Sequence, residues 1–145
     1  MPDVELEHSI TIKRSPEDVY AFVADPENAT KWRVGLVEAK QVGEEMGVGT
    51  VVKEKVEVLG RKLNAEQRIT AFEPGQRRSL EVKLGPLPIE LDEVYEATEE
   101  GTKLSVTGRT QLTGVQKMMN RVVLGQVKKQ LEKELQNIKD VLEQA

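Results

Sequence analysis

Residues 4–12 read Val-Glu-Leu-Glu-His-Ser-Ile-Thr-Ile, with apolar side chains on the even positions apart from His8. Alternation with a period of two predicts a half-buried β-strand. Ser15-Pro16-Glu17-Asp18 then looks like a helix start: an N-cap serine, a proline at the first helical position and an acid where a capping box places one. Val19, Phe22 and Val23 give this helix one apolar face, and Asp25-Pro26 ends it and starts a second, short helix reaching Trp32. Strands and turns follow from Val34 to Leu112. Residues 34–42 read as a strand of undetermined phase, and 43–49 as a glycine-rich turn. Residues 50–59 and 61–72 are long strands joined tightly around Gly60, and Glu73-Pro74-Gly75-Gln76 is a turn of type I or II. Strands at 77–84 and 88–98 flank the apolar loop Gly85-Pro86-Leu87, and Glu99-Glu100-Gly101 turns into a last strand over 102–112. Short links between successive strands imply an antiparallel meander.

The period changes over residues 115–143, where Met119, Val122, Val127, Leu131, Leu135, Ile138 and Leu142 recur every three to five residues without an interrupting proline. This predicts a long amphipathic helix, on the order of 40 Å at 1.5 Å per residue. A twisted sheet wrapping around the helix would bury its stripe. The expected fold is therefore α+β: a curved antiparallel sheet of about seven strands closed by a C-terminal helix, with two short helices after the first strand. One domain over residues 1–145 is expected, with no internal repeat or linker.

The run Ile12-Lys13-Arg14-Ser15-Pro16-Glu17-Asp18-Val19-Tyr20-Ala21-Phe22-Val23-Ala24-Asp25-Pro26-Glu27-Asn28 through Trp32 resembles the START and Bet v 1-like (SRPBCC) superfamily. Within it, the chain looks like the polyketide cyclase/dehydrase-like group, whose usual turns match Val48-Gly49-Thr50 and Phe72-Glu73-Pro74-Gly75. The resemblance covers essentially the whole chain and implies the helix-grip fold. Members of the superfamily include lipid carriers, hormone receptors, cyclases and co-chaperone domains, so the resemblance does not choose a function. The matching residues cap and pack helices, and no catalytic motif carries over.

The period-two phase assigns an inner face to each strand. Leu6, His8, Ile10 and Ile12 share one, as do Val52, Glu54, Val56 and Val58, and Leu63, Ala65, Gln67 and Ile69. Leu80, Val82 and Leu84 follow, then Ile89, Leu91, Glu93, Tyr95 and Ala97, and finally Leu104, Val106, Gly108, Thr110 and Leu112. Six of these, His8, Glu54, Gln67, Glu93, Tyr95 and Thr110, are polar among apolar neighbours. A carboxylate in such a place needs a partner, a proton or water. A few convergent polar groups on an apolar surface is how a small-molecule site looks. The expected ligand-facing positions are His8, Ile10, Glu54, Val56, Gln67, Leu80, Val82, Leu91, Glu93, Tyr95, Val106, Gly108 and Thr110. Met118, Met119 and Val122, at the start of the terminal helix, complete the set. Each polar residue also has an ordinary reading. His8 suits a core or rim, Glu54 and Glu93 can reach water near strand ends, and Tyr95 can pack with a wet hydroxyl. Gly108 either makes room for a ligand, marks a bulge or lets the helix approach. Gly125, inside the terminal helix, calls for close packing or a bend.

Composition removes several classes of function. There are no cysteines and one histidine, so disulfides, thiolate catalysis, zinc–cysteine sites and multi-histidine metal sites drop out. No metal or cofactor is expected. The net charge is −4 and basic residues are interleaved with acids, which argues against nucleic-acid binding. No apolar run suits stable membrane insertion, and the acidic N-terminus does not look like a signal peptide, so a cytoplasmic protein is expected. The main functional expectation is binding of a small hydrophobic molecule, such as a lipid or polyketide, in an internal cavity. The first alternative is a metal-independent cyclase or dehydratase using His8, Glu54, Glu93 and Tyr95 as acid–base groups. The second is a protein-interaction module without a ligand. Either a monomer or a homodimer is compatible with the sequence.

Overall fold

The computed structural model describes residues 4–43, 45–58, 60–84, 87–110 and 120–144. Strand β1 (Val4–Ile12) leads into helix α1 (Pro16–Ala24), a 3₁₀ turn (Pro26–Asn28) and the single-turn helix α2 (Ala29–Trp32). Strands β2 (Leu36–Val42), β3 (Val51–Val58), β4 (Arg61–Glu73), β5 (Arg77–Leu84), β6 (Leu87–Thr98) and β7 (Gly101–Thr110) follow, then helix α3 (Asn120–Gln144). The seven strands form one antiparallel sheet in the order β1-β7-β6-β5-β4-β3-β2. The meander runs outward from β7, and β1 returns beside it, so β1 and β2 are the two edges.

Local chemistry explains the boundaries. Ser15 Oγ accepts a hydrogen bond from the Asp18 amide at 3.2 Å, and Asp25 Oδ1 accepts one from the Glu27 amide at 3.0 Å, so two short helices start on side-chain caps followed by proline. The turn after β4 closes through Gln76 N–H to the Glu73 carbonyl at 2.9 Å, with Gly75 at φ +76°. That positive φ after proline is the mark of a type II turn. Strand β2 begins two residues later than expected, and its register shifts between Leu36 and Glu38. The bulge leaves Val37 and Glu38 both exposed, which is why no single phase fits the segment. Leu87, expected in a loop, belongs to β6. The predicted strand end at 111–112 and helix start at 115–119 lie outside the described residues.

Core side chains come from α1, the inner face of the sheet and the second half of α3. Ile12, Val19, Tyr20, Val23, Trp32, Tyr95, Leu104, Val106, Leu135 and Ile138 form one buried cluster. Ile69, Leu80 and Val82 form a second, with Phe72 and Leu91 packed against both clusters. Helix α3 crosses between the two ends of the open sheet. Near β1, Lys139 Nζ donates to the Thr11 carbonyl at 2.7 Å, and Glu143 accepts from the Lys13 amide at 3.0 Å. On the β2 side, Asn137 Nδ2 donates to the Trp32 carbonyl at 3.1 Å, and Glu134 accepts from the Val34 amide at 2.8 Å. The expected apolar stripe is half-buried or buried from Leu131 to Leu142, but Val127, one turn earlier on the same face, is exposed. Among the described residues, a Cβ added at Gly125 would meet nothing within 4 Å.

Candidate functional site

Register places the inner-face residues in rows across the sheet. One row runs His8, Val106, Glu93, Arg78 and Phe72 from β1 to β4. The next, toward α1, carries Ile10, Leu104 and Tyr95. On the other side lies Leu6, Gly108, Leu91, Leu80 and Ile69. Farther along, Ile89, Val82, Gln67, Val52 and Gln41 align, and the far corner holds Leu84, Ala65, Glu54 and Ala39. The expected residues therefore do share a face, but its polar groups gather in two places. Glu54 on β3 and Glu93 on β6 stand three strands apart, about 14 Å across the strands at ~4.8 Å per strand, and three rows apart along them.

The first polar group is built on Glu93, which is only 5% exposed. Arg78, 6% exposed, binds it bidentately, Nε to Oε1 at 2.8 Å and Nη2 to Oε2 at 3.0 Å. The Tyr95 hydroxyl donates to Glu93 Oε1 at 2.8 Å. Burial works against the Arg78 charge, but Glu93 outweighs it and holds the guanidinium more firmly protonated than usual. Burial pushes the Tyr95 hydroxyl well above its ordinary range, and the Glu93 charge adds to this. Tyr20 on α1 packs on Tyr95 and Phe72, with ring centroids 4.9 and 5.6 Å apart, and burial raises its hydroxyl to about 12. His8 lies two strands from Glu93 on the edge strand, half-buried and opposite Val106.

The second group surrounds Arg33, just after α2. Its Nη1 and Nη2 donate to Glu54 at 2.9 and 3.4 Å, and its Nε lies 3.5 Å from Glu134 Oε2 on α3. Glu134 also accepts from the Val34 amide and, at 3.5 Å, from Gln130 Nε2. Burial raises the Glu134 carboxyl above its usual range, and Arg33 offsets only part of this. Each buried carboxylate expected to need a partner thus has a guanidinium.

The remaining candidates are spread out. Val56, Leu80, Val82 and Val106 are buried, and Ile10, Gln67 and Leu91 are half-buried on the inner face. Thr110 sits at the rim and donates to the Pro88 carbonyl at 2.6 Å. Ala97, expected inward, is exposed near the β6–β7 turn. At Gly108 the ladder is unbroken on both sides, and a Cβ there would stand 3.2 Å from Leu91 Cδ2, so this glycine makes room for Leu91 and marks no bulge. Met118, Met119 and the side chain of Val122 lie outside the described residues.

Two open clefts of about 340 and 310 Å³ lie on the outer face of the sheet instead. The second is lined by Arg109 and the first by Asp92, which accepts from Arg109 at 2.7 Å, from Arg77 at 3.3 Å and from Ser79. Burial would raise the Asp92 carboxyl, but these hydrogen bonds outweigh it and hold the carboxyl below its usual range. His8, Glu54, Glu93 and Tyr95 line neither cleft.

Arg78, Arg33, Trp32, Tyr20 and Glu134 are the site residues that sequence reasoning missed. Arg78 has the same parity as Leu80 and Val82, and Glu134 sits between Leu131 and Ile138 at helical spacing. Both signals were present but hidden by charge.

Comparison with known proteins agrees with this geometry. The family described as "Polyketide cyclase / dehydrase and lipid transport" matches residues 3–143. No curated protein matches the chain in sequence. Among solved structures, the aromatase/cyclase Zhui from Streptomyces sp. R1128 superposes with a TM-score of 0.80 at 15% identity, covering 97% of this chain and 93% of that one. TTHA0849 from Thermus thermophilus gives 0.78 at 20% identity, covering 94% and 95%. Ara h 8.0201 gives 0.76 at 17% identity, covering 98% and 99%. The match over nearly the whole chain leads to one conclusion, with which the Bet v 1-like helix-grip architecture agrees: this chain belongs to the polyketide cyclase/dehydrase and lipid transport family.

Proposed function

We propose that the chain binds a small, mostly apolar molecule between the inner face of its sheet and helix α3, and that binding rather than turnover is its task. The observation that carries this reading is the state of the buried acid–base groups. Glu93 is held bidentately by Arg78, and its third donor is the Tyr95 hydroxyl. A general acid or base works best with a pKa near the operating pH, and Tyr95 is pushed away from it. Closed on one another, these groups leave the apolar surface of Ile10, Leu91 and Val106 to hold a ligand. The family description, which includes lipid transport, points the same way.

The competing reading is a metal-independent cyclase or dehydratase. It is favoured by the family description and by Glu134, whose carboxyl burial raises above its usual range. One experiment addresses the main proposal. Titration with the neutral fluorophore 1-aminoanthracene is expected to give one saturable site, displaced by tetralin. Ile10→Trp, which adds bulk at a half-buried inner position, is expected to weaken that binding about tenfold while the thermal melt stays cooperative. Absence of saturable binding to the wild-type chain would mean that the interior is a filled core, and the proposal would fall.

A further inference from the structure

Trp32 is the one tryptophan of the chain and is 8% exposed. Its ring belongs to the same apolar cluster as Tyr95, Leu104 and Val106 of the inner face. Its carbonyl is satisfied by Asn137, and the Arg33 guanidinium stands 5.7 Å from its ring centroid. Its indole Nε1–H, however, is buried without any hydrogen-bond partner among the described residues, the one side-chain N or O atom there in that condition. The buried polar groups of both sets, by contrast, are paired: Glu54, Glu134, Glu93, Arg78 and the Tyr95 hydroxyl. A donor buried without a partner carries its full desolvation penalty, and native proteins keep very few. A ligand acceptor seated beside the ring removes that penalty.

The charges nearby restrict what the acceptor is. Two carboxylates, Glu54 and Glu134, share the single guanidinium of Arg33, with side-chain exposures of 2%, 11% and 16%. An anionic headgroup brought here would meet an excess of buried negative charge, with Arg33 already committed to both acids. A neutral oxygen would not.

We infer that the indole N–H of Trp32 anchors the polar end of the interior ligand, and that this end is a neutral hydrogen-bond acceptor, such as a ketone, ester or hydroxyl oxygen, rather than a carboxylate. The inference rests on the reading of the interior as a ligand site and adds the ligand's chemical class and orientation. It also separates the two polar groups by role. Glu93 is closed within the protein, whereas Trp32 has a donor to give.

A single tryptophan means a single indole N–H resonance, so ¹⁵N-labelled protein reports on this atom alone. The probes share one skeleton: tetralin, 1-tetralone and tetralin-1-carboxylate. Binding of each is followed independently by saturation transfer to the ligand protons. Tetralin and 1-tetralone are expected to bind, and only 1-tetralone should move the indole proton downfield. Trp32→Phe should weaken 1-tetralone about fivefold, as loss of one hydrogen bond implies, and leave tetralin unchanged. The carboxylate should bind more weakly than the ketone, with Glu134→Gln narrowing the gap. The indole shift in the wild-type chain needs no variant to fold. If both neutral probes bind but the ketone leaves the indole resonance where tetralin leaves it, the anchor is wrong and the ligand site stands. A carboxylate that binds as well as the ketone overturns the charge argument. If no probe binds, both this inference and the ligand reading fail.

Discussion

At the scale of single residues, the decisive feature is that the buried charges come in satisfied sets. Glu93, Arg78 and Tyr95 form one such set, and its strength lies in mutual dependence rather than in net stabilisation. Removing one member of a buried ion pair costs about 3–5 kcal/mol, whereas replacing both by apolar groups of similar volume is often neutral or better. Arg78→Met is therefore expected to destabilise the chain by about that amount, because Glu93 keeps only the Tyr95 hydroxyl as a donor. The double variant Arg78→Met with Glu93→Leu should recover most of the loss. Urea unfolding of the two single variants and the double one would measure this. A cost below ~1 kcal/mol for Arg78→Met would mean that the pair is solvated and contributes as a surface pair does. Two of these three were legible in the sequence, since Glu93 and Tyr95 stand at inward positions by parity alone. Arg78 has the same parity but follows another arginine after a turn, where charge ordinarily reaches solvent. Its burial is decided by Glu93 across the strand pair, and such a pairing needs the register between β5 and β6.

At the scale of elements, capping and turn chemistry made most boundaries readable in advance. Ser15 and Asp25 cap where they should, and Gly75 takes the conformation its turn demands. The segments that escaped prediction did so for local reasons. The bulge in β2 places Val37 and Glu38 on neighbouring exposed positions, so neither phase of a period-two pattern survives it. Gly101, at the start of β7, shows how tightly one junction is made. Its φ is +147°, and an added Cβ would collide with the Ile12 carbonyl and stand 2.9 Å from the Arg14 amide nitrogen. Both obstacles are backbone and cannot rotate away. Beside it, the fully buried Thr102 donates from its hydroxyl to the Arg14 carbonyl at 2.6 Å, tying β7 to the chain leaving β1. Gly101→Ala is therefore expected to cost about 2 kcal/mol or more in chemical denaturation, through strain and loss of this junction. Gly60→Ala provides the contrast, because a Cβ there meets no atom within 4 Å, although φ is positive. An equal, small cost at both positions would show that the close backbone approach at Gly101 contributes nothing.

At the scale of the whole molecule, an open sheet with two free edges is held by one helix. The long helix was legible from its changed period, but not the way it bridges the edges, because its contacts join residues 100 to 130 positions apart. Near β1 it bonds Thr11 and Lys13, and on the other side it bonds Trp32 and Val34, where the chain enters β2. Leu135 and Ile138, both 1% exposed, lie at the middle of these attachments. The edges β1 and β2 share no ladder hydrogen bonds, since five strands separate them. If the helix couples them, loosening its packing must loosen both. Leu135→Ala removes buried volume without touching a hydrogen bond and is expected to cost about 2–5 kcal/mol. Native-state hydrogen exchange reads where that loss falls, since local and sub-global openings differ in free energy from one region to another. The expected outcome is an equal drop in protection for amides of β1 and β2 in the Leu135→Ala chain. A drop confined to β1, with β2 unchanged, would show that α3 is a support for one edge. A ligand seated between sheet and helix would then be enclosed from one side only. An equal drop would instead make the helix the common closure of both edges, so that any molecule held against its inner side stabilises the two together.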